Sequence, residues 1–214
     1  MLFMLYYRRK ELFFLTLIKK VVEYLFTRTG SLWYDLSKIG SGKMKTKYSA
    51  MDIAEWFLWY NNYQRDEQLD KTDNYDVYEG ITHLKLQKLL YYAEGVYSAV
   101  MDNDIFKEKI MAWPHGPVVV EVYENFSENG SKELEFDDNY WNKIQQINND
   151  NDVSNILQLV YENYAGYTAW QLREKTHVVG GPWQITVDKK GMQKEIDKKL
   201  IKDYFKNNIV RVNE

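Results

Sequence analysis

One stretch, residues 82–117, does most to limit what this chain can fold into. Leu86, Leu89, Leu90, Ala93, Val96, Tyr97 and Val100 recur at steps of three and four. That period lines them along one stripe of an α-helix. Thr82 stands where an N-cap belongs, its hydroxyl placed to accept from a backbone N–H two or three residues on. The polar run Asp102–Asp104 ends the pattern. A stiff turn follows, Trp113-Pro114-His115-Gly116-Pro117. Pro114 drives Trp113 toward extended backbone. Gly116 tolerates angles that other residues resist, and Pro117 suits the first position of a new helix. The expectation is a buried helix, an extended segment over 106–113, an aromatic turn, and a helix from Val118 to Glu128 stopped by Asn129-Gly130.

The flanking segments add helices. Ser49 and Asp52 form a capping-box-like start, with Ile53, Trp56, Phe57 and Tyr60 on the inner face. Residues 64–79 are polar, lack an apolar period and read as a surface loop. Leu134-Glu135-Phe136 predicts a short strand beside Ile110, and Trp141–Ile147 one or two helical turns. Ile156, Leu157, Val160, Tyr161 and Tyr164 mark the most regular helix, starting at Val153 after a polar break and closed by Gly166. Thr168 and Gln171 form a second capping box for a helix to about Lys175. Gly180-Gly181-Pro182 is a turn, and 193–207 a final helix with Ile196, Leu200, Tyr204 and Phe205 inward. The fold class expected is mainly α, a compact helical domain with at most a small β-hairpin.

Residues 1–43 stand apart from the domain expected over 44–214. They hold eight Lys/Arg against three acids, net +5, while the whole chain is −3 and the remainder therefore −8. Their apolar run Leu12–Phe26 is interrupted by Lys19, Lys20 and Glu23, too short and too charged to span a bilayer. It also lacks a small-residue cleavage site. Met44-Lys45-Thr46-Lys47-Tyr48 reads as a natural start, so two readings stand: an upstream in-frame start, or a genuine extension.

The acidic body repels a phosphate backbone, which disfavours non-sequence-specific nucleic-acid binding. With no cysteine there is neither a disulfide framework nor thiolate chemistry, and a cytoplasmic location is expected. No G-x-S-x-G, H-E-x-x-H, phosphate loop or Rossmann glycine pattern occurs. His83, His115 and His177 are far apart in sequence. No catalytic residue, metal or cofactor is expected. Lys85, Gln87 and Lys88 form the polar side of the central helix, either a solvated face or hydrogen-bonding groups for a partner chain. Trp113 is either a buried pin of its turn or, if partly exposed, an anchor for a partner, and Trp183 poses the same choice. His115 and His177 are expected to hydrogen-bond within turns. Eighteen tyrosines and seven tryptophans fit either a core of large rings or a protein-binding face.

The motifs also carry a resemblance. Thr82-x-x-Lys85-Leu86-Gln87-Lys88-Leu89-Leu90-Tyr91-Tyr92-Ala93 is the first block and Ala112-Trp113-Pro114-x-Gly116-Pro117-Val118-Val119 the second. The third is Thr168-Ala169-Trp170-Gln171-Leu172-Arg173-Glu174-Lys175-Thr176-His177, followed by Gly181-Pro182-Trp183. In this order, over roughly residues 48–206, they resemble the Panacea-domain antitoxin family, which includes SocA-like antitoxins and phage-associated GepA-like proteins. The resemblance implies an antitoxin that neutralises a co-encoded toxin protein by direct binding, with a proteolytic-adaptor role and a protease as further expectations. The alternative is a nucleic-acid-binding regulator of phage or of its own operon. Neither a membrane partner nor enzymatic activity is implied.

Overall fold

A computed structural model describes residues 47–69 and 80–212 together with a short strand at Leu32–Tyr34. Eight α-helices carry these residues: α1 Ala50–Leu69, α2 His83–Met101, α3 Val120–Phe126, α4 Trp141–Asn148, α5 Asn151–Tyr164, α6 Ala169–Thr176, α7 Pro182–Lys190 and α8 Lys198–Asn208. The strands are β1 Leu32–Tyr34, β2 Ile110–Trp113, β3 Gly116–Val119 and β4 Val210–Val212. β2 and β3 form an antiparallel hairpin, and β1 lies parallel to β4. The fold is mainly α with a small hairpin, as the sequence predicts. Among the described residues no helix is long and apolar enough to cross a membrane.

Helix α2 is the axis. Thr82 caps it, its hydroxyl accepting from the Lys85 N–H at 3.4 Å, and Asp102 ends it in the left-handed region at φ 52. The predicted stripe from Leu86 to Tyr97 is buried. So is every other residue from Lys85 to Ala99, because α1, α3, α5, α6, α8 and β3 pack around the helix on all sides. The polar residues Lys85, Gln87 and Lys88 are therefore inside, where the sequence reads either a solvated face or groups offered to a partner chain, and Glu94 is buried with them. Gly95 lets α8 approach closely, since a Cβ there would stand 2.4 Å from the Phe205 ring.

Among the described residues most aromatic rings are buried or packed against the core. Tyr92 stacks on Tyr164 at 3.8 Å and meets Phe205 edge-on at 5.7 Å. Trp56 stacks on Tyr60 at 4.7 Å, and its indole N–H donates to Asn148 Oδ1 at 2.8 Å, tying α1 to α4.

Both caps form as predicted. Ser49 and Asp52 exchange bonds of 2.9 and 3.1 Å, and the Thr168–Gln171 box is complete. Four expectations are corrected. Helix α1 continues to Leu69, so the loop expected from Gln64 lies within the helix as far as that residue; 70–79 fall outside the described residues, as does residues 1–43 apart from β1. Leu134 does not pair with Ile110; its N–H donates to Ile81 O at 2.9 Å, beside the Thr82–Glu133 bridge. Residues 194–196 run along β2 after a turn at Gln193, so the last helix starts at Lys198. Pro117 lies in β3 instead of opening a helix.

Candidate functional site

The hairpin explains the Pro117 correction. Within it Ala112 faces Pro117. Ala112 spends its own N–H and C=O on Lys194 O and Gln193 N, across its other edge. Ala112 and Pro117 are thus a non-hydrogen-bonded pair, in which the groups on the main chain point away from the partner strand. A proline costs no ladder bond there. Its carbonyl points toward α2 and accepts from Lys88 Nζ at 2.8 Å. Two residues on, the Val119 N–H donates to Gln87 Oε1 at 2.7 Å. Successive residues of α2 thereby close the outer edge of β3, one as donor and one as acceptor.

Lys88 is wholly buried. Desolvation lowers its pKa to about 7, and the Arg173 charge works in the same direction. Gly116 sits above it at φ +101, where a Cβ would lie 2.8 Å from Thr176 Oγ1 and 2.9 Å from Lys88 Nζ. This turn therefore demands glycine twice, for its angle and for its space.

The third sequence block closes over the hairpin tip. Arg173 and His177, one turn apart on α6 and its C-cap, both reach Pro114 O, from Nη2 at 3.5 Å and Nε2 at 3.4 Å. His177 Nδ1 lies 2.7 Å from Arg173 O, and its ring packs 3.7 Å from that of Trp183. Burial holds the His177 pKa below the ordinary histidine range. Trp183 is buried and donates its indole N–H to Trp113 O at 2.8 Å. Trp113 is half-buried, edge-on to Tyr123 at 4.9 Å, and Tyr123 meets His83 at 5.4 Å.

Of the seven candidate residues, six build or underlie this tip, and Lys85 lies one turn before Lys88 in the same buried helix. His177 makes the turn hydrogen bonds expected of it. His115 is exposed at the apex, and its ring makes no hydrogen bond among the described residues. Beside the apex the surface is apolar, with an ion pair between Arg173 and the exposed Glu174. Trp170 is 58% and Val179 90% exposed, and the Arg173 guanidinium lies 4.7 Å over the Trp170 ring. Thr176 and Arg173 enter the site although sequence reasoning assigned them no role; their place inside the third motif block was the available signal. No group of three or more His, Cys, Asp or Glu that could hold a metal occurs among the described residues.

The family model described as "Antitoxin SocA-like, Panacea domain" matches residues 86–184, which span all three blocks almost completely. Antitoxin SocA of Caulobacter vibrioides (strain NA1000 / CB15N) is 30% identical over 155 residues, covering 68% of this chain and 81% of that protein. The chain belongs to the SocA-like, Panacea-domain antitoxin family. No solved structure matches it. In this SocA-like chain the three sequence blocks supply residues that assemble and brace the hairpin tip.

Proposed function

We propose that this protein neutralises a co-encoded toxin protein by binding it directly and covering its active surface, and that the hairpin tip with α6 is the docking face. Family membership supports the antitoxin class. The observation that carries the choice of face is the convergence of the three motif blocks on one tip, where Trp170 and Val179 stay exposed. Large exposed apolar side chains suit the buried centre of a protein interface. In this reading Gln87 and Lys88 act from within, holding β3 in register. Lys85 belongs to the same buried helix. Trp113, His115, His177 and Trp183 lie at or beneath the contact. The protein works as a binder and needs no catalytic group.

The test is coexpression with the neighbouring small gene. Growth should be rescued and the two proteins should copurify. Val179→Asp, which changes an exposed residue outside the core, should keep the fold and lose both copurification and rescue. Full rescue by a folded Val179→Asp protein would remove this face from consideration. Delivery of the bound toxin to a protease belongs to the same reading, and a shortened toxin half-life in antitoxin-expressing cells is its signature. Salt-sensitive binding of the purified protein to its own promoter, with no toxic neighbour, would favour the regulatory alternative.

A further inference from the structure

Helices α1 and α4 carry a second aromatic surface, which shares no side chain with the hairpin tip. Trp141 opens α4 and is 46% exposed. Its ring meets Trp59 of α1 edge-on at 6.3 Å, and Trp59 stacks at 5.7 Å on Tyr63, one turn further along. Trp59 and Tyr63 are half-buried. Beneath them Trp56 is completely covered, its centroid 6.1 Å from that of Trp59. A row of rings thus leads from the core into water on one side of the molecule. Contiguous aromatic surface of this kind marks interaction sites.

Its charge selects the partner. Asp52, Glu55 and Asp137 all act electrostatically on Tyr140, the residue before Trp141. Asp137 and Asp138 are exposed, and Glu55 accepts from the Asp137 N–H at 3.0 Å. Against these four acids α4 offers one cation, Lys143. Glu55 is buried, and desolvation raises its carboxyl to about 7; the hydrogen bond from the Asp137 N–H opposes the rise and the Asp137 charge adds to it. An arriving cation would favour its ionised form. Indole faces attract the same cation through their quadrupole. Lysine or arginine interleaved with apolar side chains satisfies both the rings and the carboxylates, whereas an acidic segment would meet repulsion.

We infer that the Trp59–Tyr63–Trp141 face docks a basic segment of a partner polypeptide, one that alternates cationic with apolar side chains. This surface is separate from the proposed toxin face and does not rest on it.

Isothermal titration of the full chain with a synthetic peptide of Leu-Lys-Lys-Leu repeats, against its Leu-Glu-Glu-Leu counterpart, tests the idea. The lysine peptide should bind and the glutamate peptide should not. Trp141→Ala and Asp138→Asn should each weaken binding about tenfold, and Trp170→Ala should leave it unchanged. Asp138→Asn alters only an exposed carboxylate, so it keeps the test decisive if Trp141→Ala disturbs the fold. Absence of binding, equal binding of both peptides, or full affinity in both variants would overturn the inference. Toxin rescue separates the two proposals: a folded Trp141→Ala protein should still rescue, and loss of rescue would assign this face to the toxin and overturn the separate partner.

Discussion

Lys88 is a buried cation without an acid to balance it. Among the described residues its one hydrogen bond goes to the neutral Pro117 carbonyl, and the other charge acting on it, Arg173, is of its own sign. Such a residue is invisible to sequence reasoning, because lysine on a helix is almost always solvated. What betrays it is the space around it. Gly116 has room for a hydrogen and nothing larger, with Thr176 and Lys88 both inside 3 Å of where a Cβ would go. Gly116→Ala should therefore combine backbone strain at φ +101 with a clash against a buried ammonium stem. We expect a loss of about 2–4 kcal/mol in unfolding free energy, read as a lower urea midpoint at unchanged slope. A loss under about 1 kcal/mol would mean that α6 and the hairpin are loosely joined.

At the scale of elements, the helices were legible and the hairpin was half legible. Leu86 to Tyr97 and Ile156 to Tyr161 announce their helices through period alone, and the Thr168–Gln171 box through local chemistry. Pro117 misleads because a proline after a glycine fits a helix start. Its strand placement depends on which way its missing N–H would have pointed, and that is fixed only by Ala112 pairing with 193–194. Ile196 misleads in the same way: it continues the apolar period of α8, yet its N–H donates to Ile110 O. Helix α7 was hidden since it buries Trp183 and Thr186 without a regular apolar stripe. The β3 edge yields a prediction at this scale. Gln87→Ala removes the acceptor of the buried Val119 N–H and leaves it without a partner, which should cost about 1–3 kcal/mol. Hydrogen exchange at Val119 should accelerate more than at Met111, whose strand lies on the inner side of the hairpin. Equal acceleration at both would mean that the hairpin opens as one unit and that Gln87 is not its local latch.

For the whole molecule, the decisive property is that α2 has no outer face, so any polar group on it becomes a term in global stability. Three motif blocks distant in sequence meet around it; the sequence identifies the blocks, but only packing shows that they share one tip. Glu94 makes the consequence measurable. It is fully buried in α2, accepts the Ile105 N–H at 3.2 Å, and lies 3.5 Å from Lys198 of α8. Desolvation outweighs that cation and raises its carboxyl to about 8. Below its unfolded value of 4.5 the group is protonated in both states and burial goes unpenalised. As pH rises toward 8 the unfolded chain loses the proton that the folded chain keeps, so stability falls, by about 3–5 kcal/mol over the window. Glu94→Gln keeps the shape and cannot ionise. The stability of the variant relative to the parent should therefore climb between pH 4.5 and 8 and level off above it. Glu55, raised to about 7, also lowers stability with rising pH, while Lys88, lowered to about 7, raises it between there and about pH 10. Both act in parent and variant alike and cancel in the difference. A gap independent of pH would show that Lys198 holds Glu94 ionised throughout, and α2 and α8 would then be joined by a buried ion pair instead of by a neutral acid.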